Sequence, residues 1–125
     1  MRYLIPMATA QDKLSIVTHE VSGQRIVRVA GQIDSVTAPQ FEKYLLEFLG
    51  QSRRFGLDCS GLAYVSSAGI RVLVSTAKRI KGMEGRFEMF ALTPTVTRMI
   101  EMSGLTSILS IRVSEKDALE ALERA

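Results

Sequence analysis

Apolar and polar positions alternate with a period of two at the start of the chain, where Leu14, Ile16 and the Thr18 methyl interleave with Ser15, Val17 and His19. A second β-branched run, Ile26-Val27-Arg28-Val29, follows the glycine-containing stretch Val21-Ser22-Gly23-Gln24. Two such runs around a short turn predict a β-hairpin. The period then changes: Phe41, Tyr44, Leu45 and Phe48 fall at i, i+3, i+4 and i+7, which predicts a helix ending near Gly50. Thr37 is placed to cap it, Pro39 suits its first turn, and Gln40 completes a capping box.

Residues 55–59 predict a short mixed strand that runs out into Ser60-Gly61. Leu62-Ala63-Tyr64-Val65 leads to Ser66-Ser67-Ala68-Gly69, after which Ile70, Leu73, Val74, Ala77 and Ile80 recur at helical spacing. A second helix therefore starts at the serine pair, and Gly82 and Gly85 flank its end. Residues 86–92 alternate as a strand. Thr93-Pro94-Thr95 opens a third helix, with Val96, Met99, Ile100 and Met102 as its apolar positions and Ser103-Gly104 as its stop. Ile108, Leu109 and Ile111 predict a last strand, and Ser114 caps a final helix carrying Ala118, Leu119 and Leu122.

The predicted order is β-β-α-β-α-β-α-β-α. Strands alternating with helices imply crossover connections and parallel pairing, to which the opening hairpin adds an antiparallel edge. The expected fold class is α/β, a mixed β-sheet with helices packed on it. Residues 1–12 are expected to be a lead-in, either a tail or a short packed segment, and residues 13–125 a single domain.

Composition narrows the class. The chain has 125 residues, 46% of them apolar, enough for one domain with a real core. No run approaches the ~20 uninterrupted apolar residues of a membrane span, and Pro6 interrupts the only candidate leader, so a soluble cytoplasmic protein is expected. The single Cys59 and single His19 cannot build a metal site of the usual Cys/His types, and no metal or cofactor is expected. Sixteen basic residues against thirteen acidic ones give a net charge of +3, too slight and too poor in aromatics for a nucleic-acid binder.

Chemistry could reside in few places. A serine at a strand-to-helix junction lies beside unpaired backbone N–H groups and the positive end of the helix dipole, where a phosphate is tolerated. Plain helix capping is the competing role for Ser66 and Ser67. A serine nucleophile is disfavoured, because the elbow G-x-S-x-G fails at both serines, with Tyr64 and Val65 where glycine is required. His19, the sole candidate base, lies in an early strand. Asp34 and Asp58 are expected at strand ends, where turn formation competes with acid/base or Mg²⁺ roles. The cations Lys78, Arg79 and Lys81 suit the last turn of the second helix. Arg71, one turn after Ser67, is placed to touch a partner or a phosphate. Met99 and Met102, at i and i+3, are expected in the core rather than in a docking groove.

Three segments together carry a resemblance: Val29-Ala30-Gly31-Gln32-Ile33-Asp34, the run from Leu57 to Ile70 that reads LDCSGLAYVSSAGI, and the run from Thr93 to Leu105 that reads TPTVTRMIEMSGL. In this order and spacing they resemble the STAS domain, specifically the bacterial anti-sigma factor antagonists, over roughly residues 14–122. The resemblance implies a non-enzymatic regulatory module that works by partner switching. Unphosphorylated, it would bind an anti-sigma factor that is a GHKL-type serine kinase and so release the sigma factor; phosphorylation would abolish binding, and a PP2C-type phosphatase would restore it. The acceptor carries over to Ser67, ahead of Ser66, and the contact surface to Asp34, Ser66, Ser67, Ala68, Gly69 and Arg71. Monomer is the default state. Two departures stand out: many members read Asp-Ser-Ser-Gly, whereas here Ser66 replaces the Asp and Ala68 the second Ser. The alternative within the same resemblance is a STAS scaffold or regulatory subunit outside sigma control, of stressosome-like, secretion-linked or lipid-transport-linked kind.

Overall fold

A computed structural model describes residues 2–3, 7–8 and 13–124, the two N-terminal pairs as backbone only. The sheet is built on β3 (Leu14–Val21) and β4 (Gln24–Ile33), an antiparallel hairpin turned by Ser22 and Gly23, both at positive φ. Parallel to β4 run β5 (Arg54–Val65), β6 (Arg86–Phe90) and β7 (Ile111–Arg112). Two-residue strands β1 (Arg2–Tyr3) and β2 (Met7–Ala8) pair antiparallel with the outer edge of β3, so part of the predicted lead-in belongs to the sheet; its remaining residues lie outside the described ones. From β3 onward the element order is the predicted one, with helices α1 (Ala38–Leu49), α2 (Ser67–Gly82), α3 (Pro94–Ser103) and α4 (Glu115–Glu123) in the connections.

Period-two alternation splits the core into two faces. Val27 and Met89 join the large cluster with Phe41, Leu45, Leu73 and Ile100, from α1, α2 and α3. Their chain neighbours Ile26 and Phe90 instead join Ala118 and Leu122 of α4. Helix α4 therefore covers the opposite face from α1 and α2. The aromatic rings of Tyr44, Phe48, Phe55 and Phe87 form a chain from α1 to β6, with consecutive centroids 5.0 to 6.5 Å apart. Arg54 at the start of β5 donates to the carbonyls of Leu122 and Arg124, satisfying the open C-terminal end of α4.

Two strands differ from expectation. Strand β5 does not stop at residue 59 but runs on to Val65, twelve residues in all, because register shifts between Arg28 and Ala30 and between Gly31 and Gln32 absorb extra residues as bulges. Gly61 permits the close approach at the first of these, since a Cβ there would lie 2.9 Å from the Ala30 Cβ. Asp58 consequently sits inside β5, opposite Arg28 and Phe90, and its Oδ1 accepts the Ser60 N–H at 2.9 Å. The last strand is shorter than its apolar run: Ile108 closes a 3-10 turn (Thr106–Ile108), Leu109 is buried behind it, and only Ile111 and Arg112 pair with β6.

Candidate functional site at the C-terminal edge of the sheet

Parallel pairing of β4 with β5 ends at Ile33 opposite Val65, and the Ser66 N–H donates to the Ile33 carbonyl at 2.8 Å. Asp34 and Ser66 therefore leave the sheet side by side at its C-terminal edge, where α/β sheets commonly meet ligands and partners. Gly31 lets the end of β4 pass close to Lys13, just ahead of β3. At φ +106° a Cβ would stand 2.0 Å from the Lys13 carbonyl oxygen, which instead accepts the Gln32 N–H at 2.8 Å.

The turn after β4 is organised by Asp34 rather than by Thr37. Asp34 Oδ1 accepts the N–H groups of Val36 at 2.9 Å and Thr37 at 3.0 Å, and the Asp34 carbonyl accepts the Ala38 N–H. Thr37 is already helical (φ −90°, ψ −20°) and makes no side-chain cap. Its Oγ1 is spent on the strand end, donating to the Gln32 carbonyl and accepting the Asp34 N–H, both at 2.9 Å. The expected Thr37 capping box is thus replaced by an Asx turn centred on Asp34, three residues upstream. Lys13 Nζ lies 3.5 Å from Asp34 Oδ2. The Thr37 N–H holds the Asp34 carboxyl below the usual carboxylate range, helped by the Val36 N–H, Lys13 and the Thr37 hydroxyl, against partial desolvation acting the other way.

Helix α2 is capped as the serine pair predicts. Ser66 is extended (φ −84°, ψ 175°) and its Oγ accepts the Gly69 N–H at 3.3 Å. Ser67 is the first helical residue, exposed, and its hydroxyl has no hydrogen-bond partner among the described residues. Ser66, in the place where the resembling family often has Asp, keeps the capping function of an Asp without its charge. Gly69 fixes the height of this turn over the sheet: a Cβ would be 2.7 Å from Cγ2 of both Ile33 and Val65.

Beyond Ser67 the surface opens into a groove of about 560 Å³ between α2 and α3. Ile70 and Val74 form one wall, Met99, Met102 and Leu105 the other, and Tyr64 flanks the entrance. Met102 is 81% exposed, so only Met99 packs against the core and the expectation for the methionine pair fails at its second member. On a ten-residue helix the apolar spacing could not tell which of Met99 and Met102 faced the sheet. Tyr64, at 39% exposure, was also missed, because the second bulge turns it outward from a run that reads as a core strand. Val36, half exposed beside Asp34, adds apolar surface on the other flank. Arg71, one turn on from Ser67, is exposed and borders the groove.

The other candidate residues do not converge here. His19 is buried in β3 opposite Ile26, about 20 Å from the Ile33 end of β4 at roughly 3.3 Å per residue. It cannot serve as base to either serine. Asp58 lies a comparable distance back along β5, so the two carboxylates form no pair. Cys59 is buried, and burial first, then the neighbouring Asp58, pushes its thiol far up, which leaves it protonated and inert.

A protein-family profile described as the STAS domain matches residues 15–118. The chain belongs to the STAS domain family. BtrV of Bordetella bronchiseptica, which carries the name of an anti-sigma factor antagonist, is 31% identical over 113 residues, 90% of this chain and 97% of that one. An anti-sigma F factor antagonist of Paenibacillus polymyxa is 30% identical, covering 88% of this chain and 96% of its own length. The crystal structure of an anti-sigma factor antagonist from Mycobacterium paratuberculosis superposes with a TM-score of 0.81 at 28% identity, over 93% of this chain and 99% of that one. The relatives named here are thus similar to this chain over nearly their whole lengths. Among the described residues no helix is long and apolar enough to cross a membrane.

Proposed function

We propose that this chain is an anti-sigma factor antagonist that works by partner switching, with Ser67 as its phosphorylation site. The carrying observation is the position of Ser67: an exposed hydroxyl on the first residue of α2, at the rim of an apolar groove. In the unphosphorylated state the groove and its flanks, Asp34, Ser66, Ser67, Ala68, Gly69 and Arg71, receive an anti-sigma factor that is also a GHKL-type serine kinase, and the sigma factor is set free. The kinase then transfers the γ-phosphoryl group of ATP to Ser67 Oγ, releasing ADP and the hydroxyl proton, and a PP2C-type phosphatase returns the serine and inorganic phosphate. The chain supplies no catalytic group to either step.

Physical chemistry supports this sequence of events. A phosphate on the first residue of a helix meets the positive end of the dipole and leaves the helix intact. It nevertheless brings roughly −1.5 to −2 charges to the rim of an apolar contact. Desolvating such a charge costs several kcal/mol, and each 1.4 kcal/mol is a factor of about ten in affinity, so one phosphate suffices to disengage a partner. Ser67 is favoured over Ser66 because the Ser66 hydroxyl already holds the Gly69 N–H.

The test is reconstitution with the GHKL-type kinase that the unmodified chain captures, followed by phosphopeptide mass spectrometry and a binding titration. Ser67→Ala should bind and resist phosphorylation, Ser67→Glu should bind at least about a hundredfold more weakly, and Ser66→Ala should still be phosphorylated. Wild-type phosphorylation of Ser67→Ala removes the site assignment. Capture of a partner that holds no sigma factor points instead to the scaffold role.

A further inference from the structure

Arg71 is exposed, one turn after Ser67 on α2, and is the cation that lines the groove. Among the described residues no hydrogen bond or ion pair engages its guanidinium, whereas Lys13 is paired with Asp34, and Arg86 and Arg112 with Glu88. It lies at i+4 from Ser67 on the same helix face, the spacing and orientation at which an acidic group N-terminal to a basic one pairs best. It also borders two cavities at once: the groove that Ser67 rims, and a second hollow of about 320 Å³ between α1 and α2 that contains Glu42. The side chain can therefore lie to either side of its helix. No acidic residue occupies the first turn of α2 to compete for it.

We infer that Arg71 is the internal counter-charge for a phosphate on Ser67, so that one modification both adds an anion to the groove and withdraws a cation from the partner. This rests on Ser67 being the acceptor. In the unmodified chain the guanidinium is open to an acidic group of the docked kinase or to Glu42. After phosphorylation, the dianion one turn away outcompetes both, because a phosphate carries more charge than a carboxylate and matches the guanidinium fork. From α3 the groove receives Met99, Met102 and Ser103, none of them ionisable at neutral pH, and Asp34 is held by Lys13 and its own turn. Arg71 is thus a positioning residue that sets the charge presented in each state.

The experiment installs phosphoserine at position 67 of the full chain during translation, so that no kinase is needed, and follows the phosphate by ³¹P NMR titration. Free phosphoserine has its second pKa near ~6. Pairing with Arg71 should lower it by at least about 0.3 unit relative to the Arg71→Gln variant, the size expected of an exposed i,i+4 pair or larger. Arg71→Lys should keep most of that shift, and 1 M salt should remove it. In the unphosphorylated chain, Arg71→Gln should weaken kinase binding about two- to fivefold. Identical titrations in the wild type and Arg71→Gln overturn the counter-charge role, and unchanged binding by Arg71→Gln overturns the withdrawal of a cation. Either result stands apart from a failure of the proposed function, which would show as a kinase that leaves Ser67 unmodified.

Discussion

Replacing Gly69 by Ala inserts one methyl group between two β-branched side chains. The new Cβ would lie 2.7 Å from Cγ2 of Ile33 and of Val65, about 1 Å inside the optimal carbon–carbon separation on each side. Both neighbours are buried at the ends of adjacent strands and are stiff at χ1, so neither methyl can swing away. The first turn of α2 must lift instead. Overpacking of this kind costs about 1–3 kcal/mol, while Ala in place of Gly returns up to about 1 kcal/mol of helix propensity. With both neighbours fixed the overpacking cost falls in the upper part of its range, about 2–3 kcal/mol, so the net loss is about 1–2 kcal/mol. At a urea m-value of roughly 2 kcal/mol/M this lowers the midpoint by about 0.5–1 M. Equilibrium urea denaturation at 25 °C measures it, with an unchanged slope confirming that stability alone moved. A lift of this turn also displaces Ser67, so affinity for the kinase partner proposed above should fall beyond what the unfolded fraction explains. A midpoint equal to or above the wild type would refute the reasoning, because it would mean that the turn is not seated against the strand ends.

Three further changes probe the same edge and the far side of the sheet. Ser66→Ala removes the N-cap of α2 and should cost about 1 kcal/mol in thermal denaturation, whereas Ser66→Asp should match or exceed the wild type by keeping the cap and adding a favourable charge at the helix N-terminus. Asp34 has its pKa lowered in the folded state, so its contribution is complete above the unfolded value of about 3.9 and is lost as the pH falls through the folded one. Acid denaturation should therefore be less steep in Asp34→Asn than in the wild type below about pH 4, and coincident acid limbs would count against it. Glu88, only 2% exposed, accepts from Ser110 and Arg112 and lies near Arg86. Breaking a buried pair can cost about 3–5 kcal/mol, but both arginines are about a third exposed and can rehydrate, so Glu88→Ala should lose only about 1–3 kcal/mol by urea titration.

Local signals in the sequence survived folding where the interaction itself is local. Ser66 and Ser114 each cap the helix that follows them, as their positions predict, and Thr93 caps the helix that its Thr-Pro-Thr stretch opens, because an N-cap needs only the N–H two or three residues on. Thr37 offers the same signal and fails, since Asp34 lies three residues earlier with a stronger acceptor and takes the turn for itself. Gly56, Asp58 and Gly61 break the apolar alternation of β5 and made it read as two pieces; only the pairing with β4 on one side and β6 on the other shows one strand with bulges. The serine pair and the Gly31-to-Asp34 turn were legible, and the strand register brings Asp34 alongside Ser66. The groove was not, because it belongs to no segment: Tyr64, Ile70 and Met102 come from three elements, and which methionine faced outward depended on how α3 sits on the sheet.

The sheet's two outer edges bear on how this protein meets others. At one, β7 offers only two residues of ladder; at the other, Ser15, Ile16, His19 and Glu20 of β3 are already paired by the short strands β2 and β1. A strand from another molecule finds little open backbone to extend at the described edges, which guards against the edge-to-edge stacking that threatens open β-sheets. Recognition is thereby steered away from strand addition, which is tolerant of sequence, and toward side chains on helices, which are not. In a cell holding several chains of this same architecture, that is what would keep each one faithful to its own partner.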